Sequence, residues 1–200
     1  MIYFKLSINN HINSTLVTHD EIDPARTELI SLYDRNQEET EGLTESLQMA
    51  HTYFYAADLQ VISDRTVPVM IKSISNEVQA MEEWYLGNIP LHTDPMVVDF
   101  IAETVGGSIT IYQKSDMGFI CISSTLNNVN GGRCVGRVLP FTSAVGRAVS
   151  EGVTFTEIVK VGDKSVHTAY EPIIHNGVLI GILSVSISTE NDNKSEGRLG

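Results

Sequence analysis

The chain has 200 residues, 42% apolar and 19% charged, which are ordinary proportions for a folded soluble protein. This length allows a substantial hydrophobic core, and the apolar content excludes a chain that is mainly disordered. Asp and Glu number 25 against 13 Lys and Arg, so the net charge is −12. Because such a surface repels nucleic acid and anionic lipid, we expect neither as a partner, although one buried arginine would still allow a small anionic ligand.

No membrane-spanning segment is expected within these residues, since no run of about 18 apolar residues occurs. The start of the chain, MIYFKLSINN, lacks the basic region and the continuous apolar core of a signal peptide. Membrane attachment would therefore depend on anchors outside this sequence.

Residues 1–66 have the pattern of a helical arm. Asp23-Pro24 favours a helix start, because Pro fits the first turn and Asp can cap it. Apolar residues recur at spacings of three and four on both sides of a charged stretch, residues 34–41. Gly42 costs a helix about 1 kcal/mol relative to Ala. We therefore expect one helix with a weak point or two helices.

The remainder of the chain predicts an antiparallel sheet. Residues 67–93 mix strand formers with helix formers, and periodicity does not decide between them. Turn residues separate the later segments, and the last one, VLIGILSVSIS, is apolar enough to be a central strand covered on both faces. Residues 189–200 are predicted to be a polar tail.

The individual predictions for this part are short helices at 96–105, closed by Gly106-Gly107, and at 143–150, and strands at 108–114, 119–125, 133–139, 153–161, 164–173 and 178–188. Together they give an α+β fold, with an antiparallel sheet of about five strands and the helix of the first half over one face.

Enzyme activity is not expected, because the common catalytic motifs are missing. No histidine pair has the spacing of a zinc protease, no phosphate-binding glycine loop precedes a helix, and no G-x-S-x-G occurs. The glycines of Gly131–Gly136 lie in a predicted hairpin, where a turn explains them. We expect no metal site and no cofactor.

Cys121 and Cys134 leave two interpretations open. They are either two half-buried free thiols or a disulfide, and a disulfide persists only outside a reducing cytosol. No C-x-x-C is present, so neither a zinc ribbon nor a thioredoxin-type centre is indicated.

Two long segments carry a family resemblance: GGSITIYQKSDMGFICISSTLNNVNGGRCVG and TAYEPIIHNGVLIGILSVSIS. They resemble the Cache sensor superfamily, and most closely its single-Cache group of the Cache 3/Cache 2 fusion type. Six elements occur in the family order, at Gly106–Gln113, Ile120–Thr125, Gly132–Gly136, Thr168–Pro172, His175–Gly177 and Leu179–Ile187. The sequence departs from the family at Cys121, Ser184 and Ser186, which leaves the ligand class open.

The resemblance implies a fold and a setting. The fold would be a long N-terminal helix packed on a PAS-like five-stranded antiparallel sheet, divided into a helical arm (1–66), a Cache domain (67–188) and a tail (189–200). The protein would be the extracytoplasmic, periplasmic sensing domain of a bacterial inner-membrane receptor, such as a methyl-accepting chemotaxis protein, a sensor kinase or a diguanylate cyclase. It would relay ligand binding across the membrane and form a homodimer through the N-terminal helix.

Six residues are candidates for ligand binding in a PAS-like pocket: Tyr112, Ser124, Arg133, Arg137, Thr168 and Tyr170. An inward arginine would clamp a carboxylate, so the expected ligand is a small molecule such as a carboxylate metabolite. Thr168 and Tyr170 alternate onto one strand face. For each candidate the alternative is ordinary packing or solvation.

Two other functions remain possible at this point. The chain would be a sensor-like module without a ligand, used for dimerisation or partner contact, if its interior were collapsed. It would be a cytosolic PAS-type cofactor binder if the purified protein were coloured.

Overall fold

A computed structural model describes residues 24–72, 77–128, 130–161 and 164–189. The helices in these ranges are α1 (Pro24–Ala56), α2 (Met96–Val105) and α3 (Ala144–Ser150). The strands are β1 (Leu59–Met70), β2 (Val78–Leu86), β3 (Ile89–Pro90), β4 (Ser108–Ser115), β5 (Gly118–Ser124), β6 (Val138–Leu139), β7 (Phe155–Val161), β8 (Lys164–His175) and β9 (Val178–Thr189). All contacts discussed below lie within the unit formed by residues 37–200. The helix predicted for residues 1–23 and the tail predicted for 190–200 lie outside the described residues.

The main sheet is antiparallel, and its strand order is β6-β5-β4-β9-β8-β7. The predicted α+β class is confirmed, and β9 is central and buried on both faces over residues 181–186. The sheet has six strands among the described residues, so the predicted count of five is wrong. The predicted strand 133–139 is also too long. Gly136 takes a left-handed φ of 84°, and within the predicted strand only Val138 and Leu139 (β6) form a ladder with β5, at Ile120 and Phe119.

A second antiparallel sheet has the order β1-β2-β3. It is built from residues 67–93, which periodicity left undecided, and from the end of the predicted helical arm, beginning at Leu59. Helix α1 ends at Ala56, and Asp58 then adopts a left-handed φ of 59°, which a helix cannot continue through. The expectation that residues 1–66 are helical is therefore wrong from Leu59 onward.

The turns and caps follow local sequence chemistry. Gly106 ends α2 with a φ of 68°, as the Gly-Gly pair predicted. Ser143 caps α3 by accepting a hydrogen bond from the backbone amide of Gly146 at 2.9 Å. Asn176 and Gly177, both with positive φ, form the two-residue connection between β8 and β9.

The largest core lies between the helices and one face of the main sheet. Its buried members include residues of α1, α2, β2, β4 and β9, namely Ala50, Phe54, Trp84, Leu86, Val98, Ile101, Val105, Ile109, Ile111, Leu183 and Val185. The hydroxyl of Ser46 donates to the carbonyl of Val105 at 3.2 Å and so ties α1 to α2. The last turns of α1 therefore pack against the sheet.

A polar link joins the two sheets. The amide of Gln113 on β4 donates to the carbonyl of Glu82 on β2 at 3.1 Å, and its oxygen accepts from His92 Nε2 at 3.0 Å. This arrangement leaves His92 Nδ1 buried without a partner. Burial lowers the pKa of His92 below its ordinary value of 6.5, because a proton on Nδ1 would have no acceptor.

We predict a pH dependence of stability from His92. As pH falls through 6.5, the unfolded chain takes up this proton before the folded chain does, so the stability present above that pH is lost below it. Between about pH 7.5 and about pH 5.5, urea unfolding should show a smaller loss of unfolding free energy for His92→Gln than for wild type. Identical losses in the two proteins would contradict this prediction.

A second prediction concerns Gly181, where β9 passes close to its neighbours. A Cβ at this position would collide with the carbonyl oxygen of Tyr112 and lie 2.9 Å from Cη2 of Trp84. Gly181→Ala should lower the unfolding free energy by about 1–3 kcal/mol, measured by urea denaturation. Gly132→Ala is the control, because its Cβ would meet only the side-chain amide of Asn128, no closer than 3.5 Å. Equal stability of the two variants would show that the contact at Gly181 relaxes without cost.

Candidate ligand-binding site

The second face of the main sheet combines polar side chains with a small apolar cluster, in contrast to the apolar face covered by α1 and α2. Along β9, Leu183 and Val185 enter the core, and alternation sends Ser184 and Ser186 to the opposite face. The same alternation places Tyr112 on β4 and Tyr170 on β8 on this second face, where both contact the same small apolar cluster.

A cavity of about 270 Å³ opens on this face. Strands β4, β7 and β8 form its floor, and residues 137–145 cover it. Its lining consists of Tyr112, Arg137, Val138, Leu139, Pro140, Ser143, Ala144, Val145, Glu157 and Tyr170. We call it the tyrosine cavity. Its volume is at the small end of ligand pockets, which fits a metabolite of few atoms.

Two neutral phenols stand in the tyrosine cavity. Tyr170 donates its hydroxyl to Glu157 Oε1 at 2.8 Å. Burial raises the pKa of Tyr170, and the hydrogen bond to Glu157 raises it further. Tyr112 is 8% exposed, and burial raises its pKa as well. Its hydroxyl has no hydrogen-bond partner among the described residues, so it is a free donor toward the cavity.

Arg137 supplies a positive charge at the rim of the cavity. Its backbone carbonyl accepts from the amide of Cys121 at 2.9 Å, which attaches this residue to β5. The side chain is exposed and forms no ion pair within the described ranges. The structure thus brings together three of the six sequence candidates, Tyr112, Arg137 and Tyr170, and their role in binding stays a prediction.

Ser124 and Thr168 are placed on the same sheet face but outside the cavity lining. The hydroxyl of Ser124 pairs with that of Thr110 at 2.8 Å and accepts from the amide of Leu126 at 3.0 Å. The hydroxyl of Thr168 pairs with that of Ser186 at 2.9 Å. Both hydroxyls are buried and already bonded to the protein.

Arg133 also lies outside the cavity lining. Its guanidinium donates to both carboxylate oxygens of Asp99 on α2, each at 2.8 Å, and to the carbonyl of Ser124 at 2.7 Å. Such a two-pronged pair fixes the segment after β5 against α2. The structure therefore gives Arg133 a bracing position.

Glu157 is the acidic residue of the cavity lining, and the sequence analysis did not single it out. It lies on β7 directly opposite Thr168 and two positions from Phe155, which pairs with Tyr170. Counting the register back from the Val161–Lys164 pair would have placed it beside Tyr170, because strand neighbours two apart share a face.

The two cysteines are free thiols in the structure, as the first interpretation expected. Cys121 is buried beneath the cavity residues, and burial raises its pKa to about 12. A thiol with so little thiolate is a poor nucleophile and a packing residue at neutral pH.

A larger cavity of about 410 Å³ lies near the C-terminal end of α1 and is a weaker candidate for a polar metabolite. Its lining is apolar apart from the hydroxyl of Tyr53: Tyr53, Ala56, Ala57, Leu86, Ile89, Met96, Val97, Phe100 and Ile101. Such a groove offers almost nothing to orient a charged ligand.

The fold is an α+β domain in which α1 and α2 cover one face of the main sheet, while α3 and the tyrosine cavity lie on the other. Comparison with family models gives a match to the Cache 3/Cache 2 fusion domain over residues 7–196. The chain therefore belongs to the Cache 3/Cache 2 fusion family, as the resemblance indicated. Comparison with curated proteins gave no significant match. Among the described helices, none has the length and apolar content needed to cross a bilayer.

Substituting each of the two arginines should distinguish a structural role from a role in ligand binding. Arg133→Gln should lower the unfolding free energy by about 1 kcal/mol in urea denaturation, since it breaks the pair with Asp99 and leaves the Ser124 carbonyl without its donor. Arg137→Gln removes the same charge from a side chain without an ion pair and should change stability by less than about 0.5 kcal/mol. Equal losses for both variants would contradict this assignment.

Proposed function

We propose that this domain is the extracytoplasmic, periplasmic sensor of a bacterial transmembrane receptor and binds a small carboxylate-bearing metabolite in the tyrosine cavity. Family membership makes it a receptor sensor module of the small-molecule-binding kind. The single observation that carries the ligand assignment is an arginine that forms no ion pair with the described residues and lies beside two neutral phenols. Arg137 and the free donor of Tyr112 match the two oxygens of a carboxylate.

Strand β8 offers a route from the cavity to α1. Tyr170 faces the cavity, and the next residue, Glu171, faces the opposite side of the sheet. There Glu171 pairs with His51 Nδ1 on α1 at 2.6 Å. A ligand that shifts β8 would therefore act on α1, to the extent that it binds two states with different affinity.

In the receptor we place this domain between membrane anchors, with α1 as the element that transmits the signal and forms a homodimer. Chemoreceptors and sensor kinases are the proposed hosts. Met49 and Tyr53 on α1 are each 40% exposed, which leaves apolar surface for a second helix.

The cavity also argues against the two alternative functions, a dimerisation module without a ligand and a PAS-type cofactor binder. A module used only for dimerisation has no need of an unpaired arginine over a polar cavity. A PAS-type flavin or haem would exceed about 270 Å³. The geometry therefore favours a small ligand, and catalytic activity is not proposed.

A thermal-shift screen tests this function. Acetate, propanoate, lactate, succinate, the amino acids and simple amines are the probes. A compound present at 100 times its dissociation constant adds about 2.7 kcal/mol, which raises the melting temperature by about 5 to 10 °C in a domain of this size. The absence of any shift across these probes would contradict the proposal.

The Arg137→Gln variant tests the carboxylate clamp. It should weaken binding of the best carboxylate found in the screen by at least about tenfold in titration calorimetry, because a charge-assisted hydrogen bond is lost. Arg133→Gln is the matched control and should bind as wild type does. Unchanged affinity in Arg137→Gln would place the carboxylate elsewhere.

A further inference from the structure

The tyrosine cavity contains one positive and one negative side chain. Arg137 lies on the segment that covers the cavity, and Glu157 lies on the floor strand β7. The two line the same cavity of about 270 Å³, yet among the described residues they form no ion pair with each other. Opposite charges held apart across a small cavity leave a place for a molecule that pairs with both.

Glu157 has spare hydrogen-bonding capacity. Its Oε1 accepts from the hydroxyl of Tyr170, and its other oxygen has no donor within the described ranges. Among the side chains that the structure describes, no cationic group lies within ion-pair distance of this carboxylate. Because the bond from Tyr170 fixes the orientation of Glu157, the second oxygen is an oriented acceptor that a cationic donor would satisfy.

A ligand with only a carboxylate fits this charge pattern poorly. It would pair with Arg137 but bring its own negative charge close to Glu157, and like charges in a partly buried site repel. An amine without a carboxylate would pair with Glu157 and leave Arg137 and Tyr112 unused. A molecule with both groups satisfies every polar group just named.

We propose that the ligand of the tyrosine cavity is a zwitterion of the amino-acid type, whose carboxylate contacts Arg137 and Tyr112 and whose ammonium group contacts Glu157. This inference rests on the proposed function, because it names the chemistry of the same cavity. It goes further by requiring a protonated amine.

Matched compounds test the inference on the wild-type protein. Each L-amino acid is compared by titration calorimetry with the acid that lacks its amine and with the amine that lacks its carboxylate; for alanine these are propanoate and ethylamine. At least one amino acid should bind ten or more times tighter than both of its counterparts. This comparison needs no variant and so does not depend on how a mutant folds.

The Glu157→Gln variant provides the second arm. Its amide oxygen still accepts from Tyr170, so only the charge is lost. The bound amino acid should lose at least tenfold in affinity, while the counterpart without an amine should bind as well as before or better. Glu103→Gln removes a charge from an exposed position on α2 and is the matched control, with both affinities unchanged.

The outcomes separate the two proposals. If a carboxylate binds equally well with and without an amine and Glu157→Gln has no effect, the zwitterion inference is wrong and the sensing function stands. If no member of any set binds the folded protein, the proposed function fails as well.

Discussion

The alternation of side chains along β9 is the constraint on which the rest of the structure depends. This strand pairs with β4 on one side and β8 on the other, so its register is fixed twice. Leu183 and Val185 must then point toward the helices, and Ser184 and Ser186 toward the other face. A slip of one residue would move the serines into the apolar core and the two aliphatic side chains to the face that carries the cavity. The alternation along β9 thus determines both the face of the sheet that α1 and α2 cover and the face that carries the cavity.

The tyrosine cavity stays open because its cover is supported from within. Gly146 in α3 packs so closely on the preceding loop that a Cβ would collide with the carbonyl of Pro140 and lie 2.8 Å from Cα of Phe141. The cap from Ser143 fixes the start of the same helix. Phe119 and Phe141 meet edge to face beneath it, with ring centroids 5.2 Å apart. The cover therefore rests on its own contacts and leaves the cavity beside Tyr112 and Tyr170 unfilled.

Sequence patterns predicted those features whose causes are local. Helix α2 and the turn at Asn176-Gly177 depend on residues a few positions apart, so their bounds agree with the structure. The strand at Leu59 was missed because a helical pattern continues to Ala57, and the left-handed turn at Asp58 is not specified by its residue type. After such a turn, residues from Leu59 onward form a strand because β1 pairs with β2, and no short window of sequence contains both partners.

The candidate site depends even more on contacts between residues that are distant in the sequence. Arg133 and Arg137 are four residues apart and of equal chemistry, so sequence alone did not separate them. Their environments differ because Asp99, which is 34 residues away, lies beside the first arginine. Glu157 could have been placed from the register of its hairpin. The position of Ser124 and Thr168 outside the cavity lining could not, because their cross-strand hydroxyl partners depend on the order of the sheet.

The placement of the two charges also bears on how a ligand would act. Arg137 belongs to the cover and Glu157 to the floor, so a ligand with one charged group engages one wall, and a zwitterion draws both walls together. The floor strand β7 pairs with β8, which carries Tyr170 toward the cavity and Glu171 toward His51 on α1. In the proposed sensor, a ligand that draws cover and floor together would therefore act on the strand that contacts α1 through Glu171. Only a compound that binds the closed arrangement more tightly than the open one shifts that equilibrium. On this view the same two charges would determine which ligand binds and whether binding produces a signal. The contacts that select a zwitterion would also be the contacts that bring the cover and the floor closer.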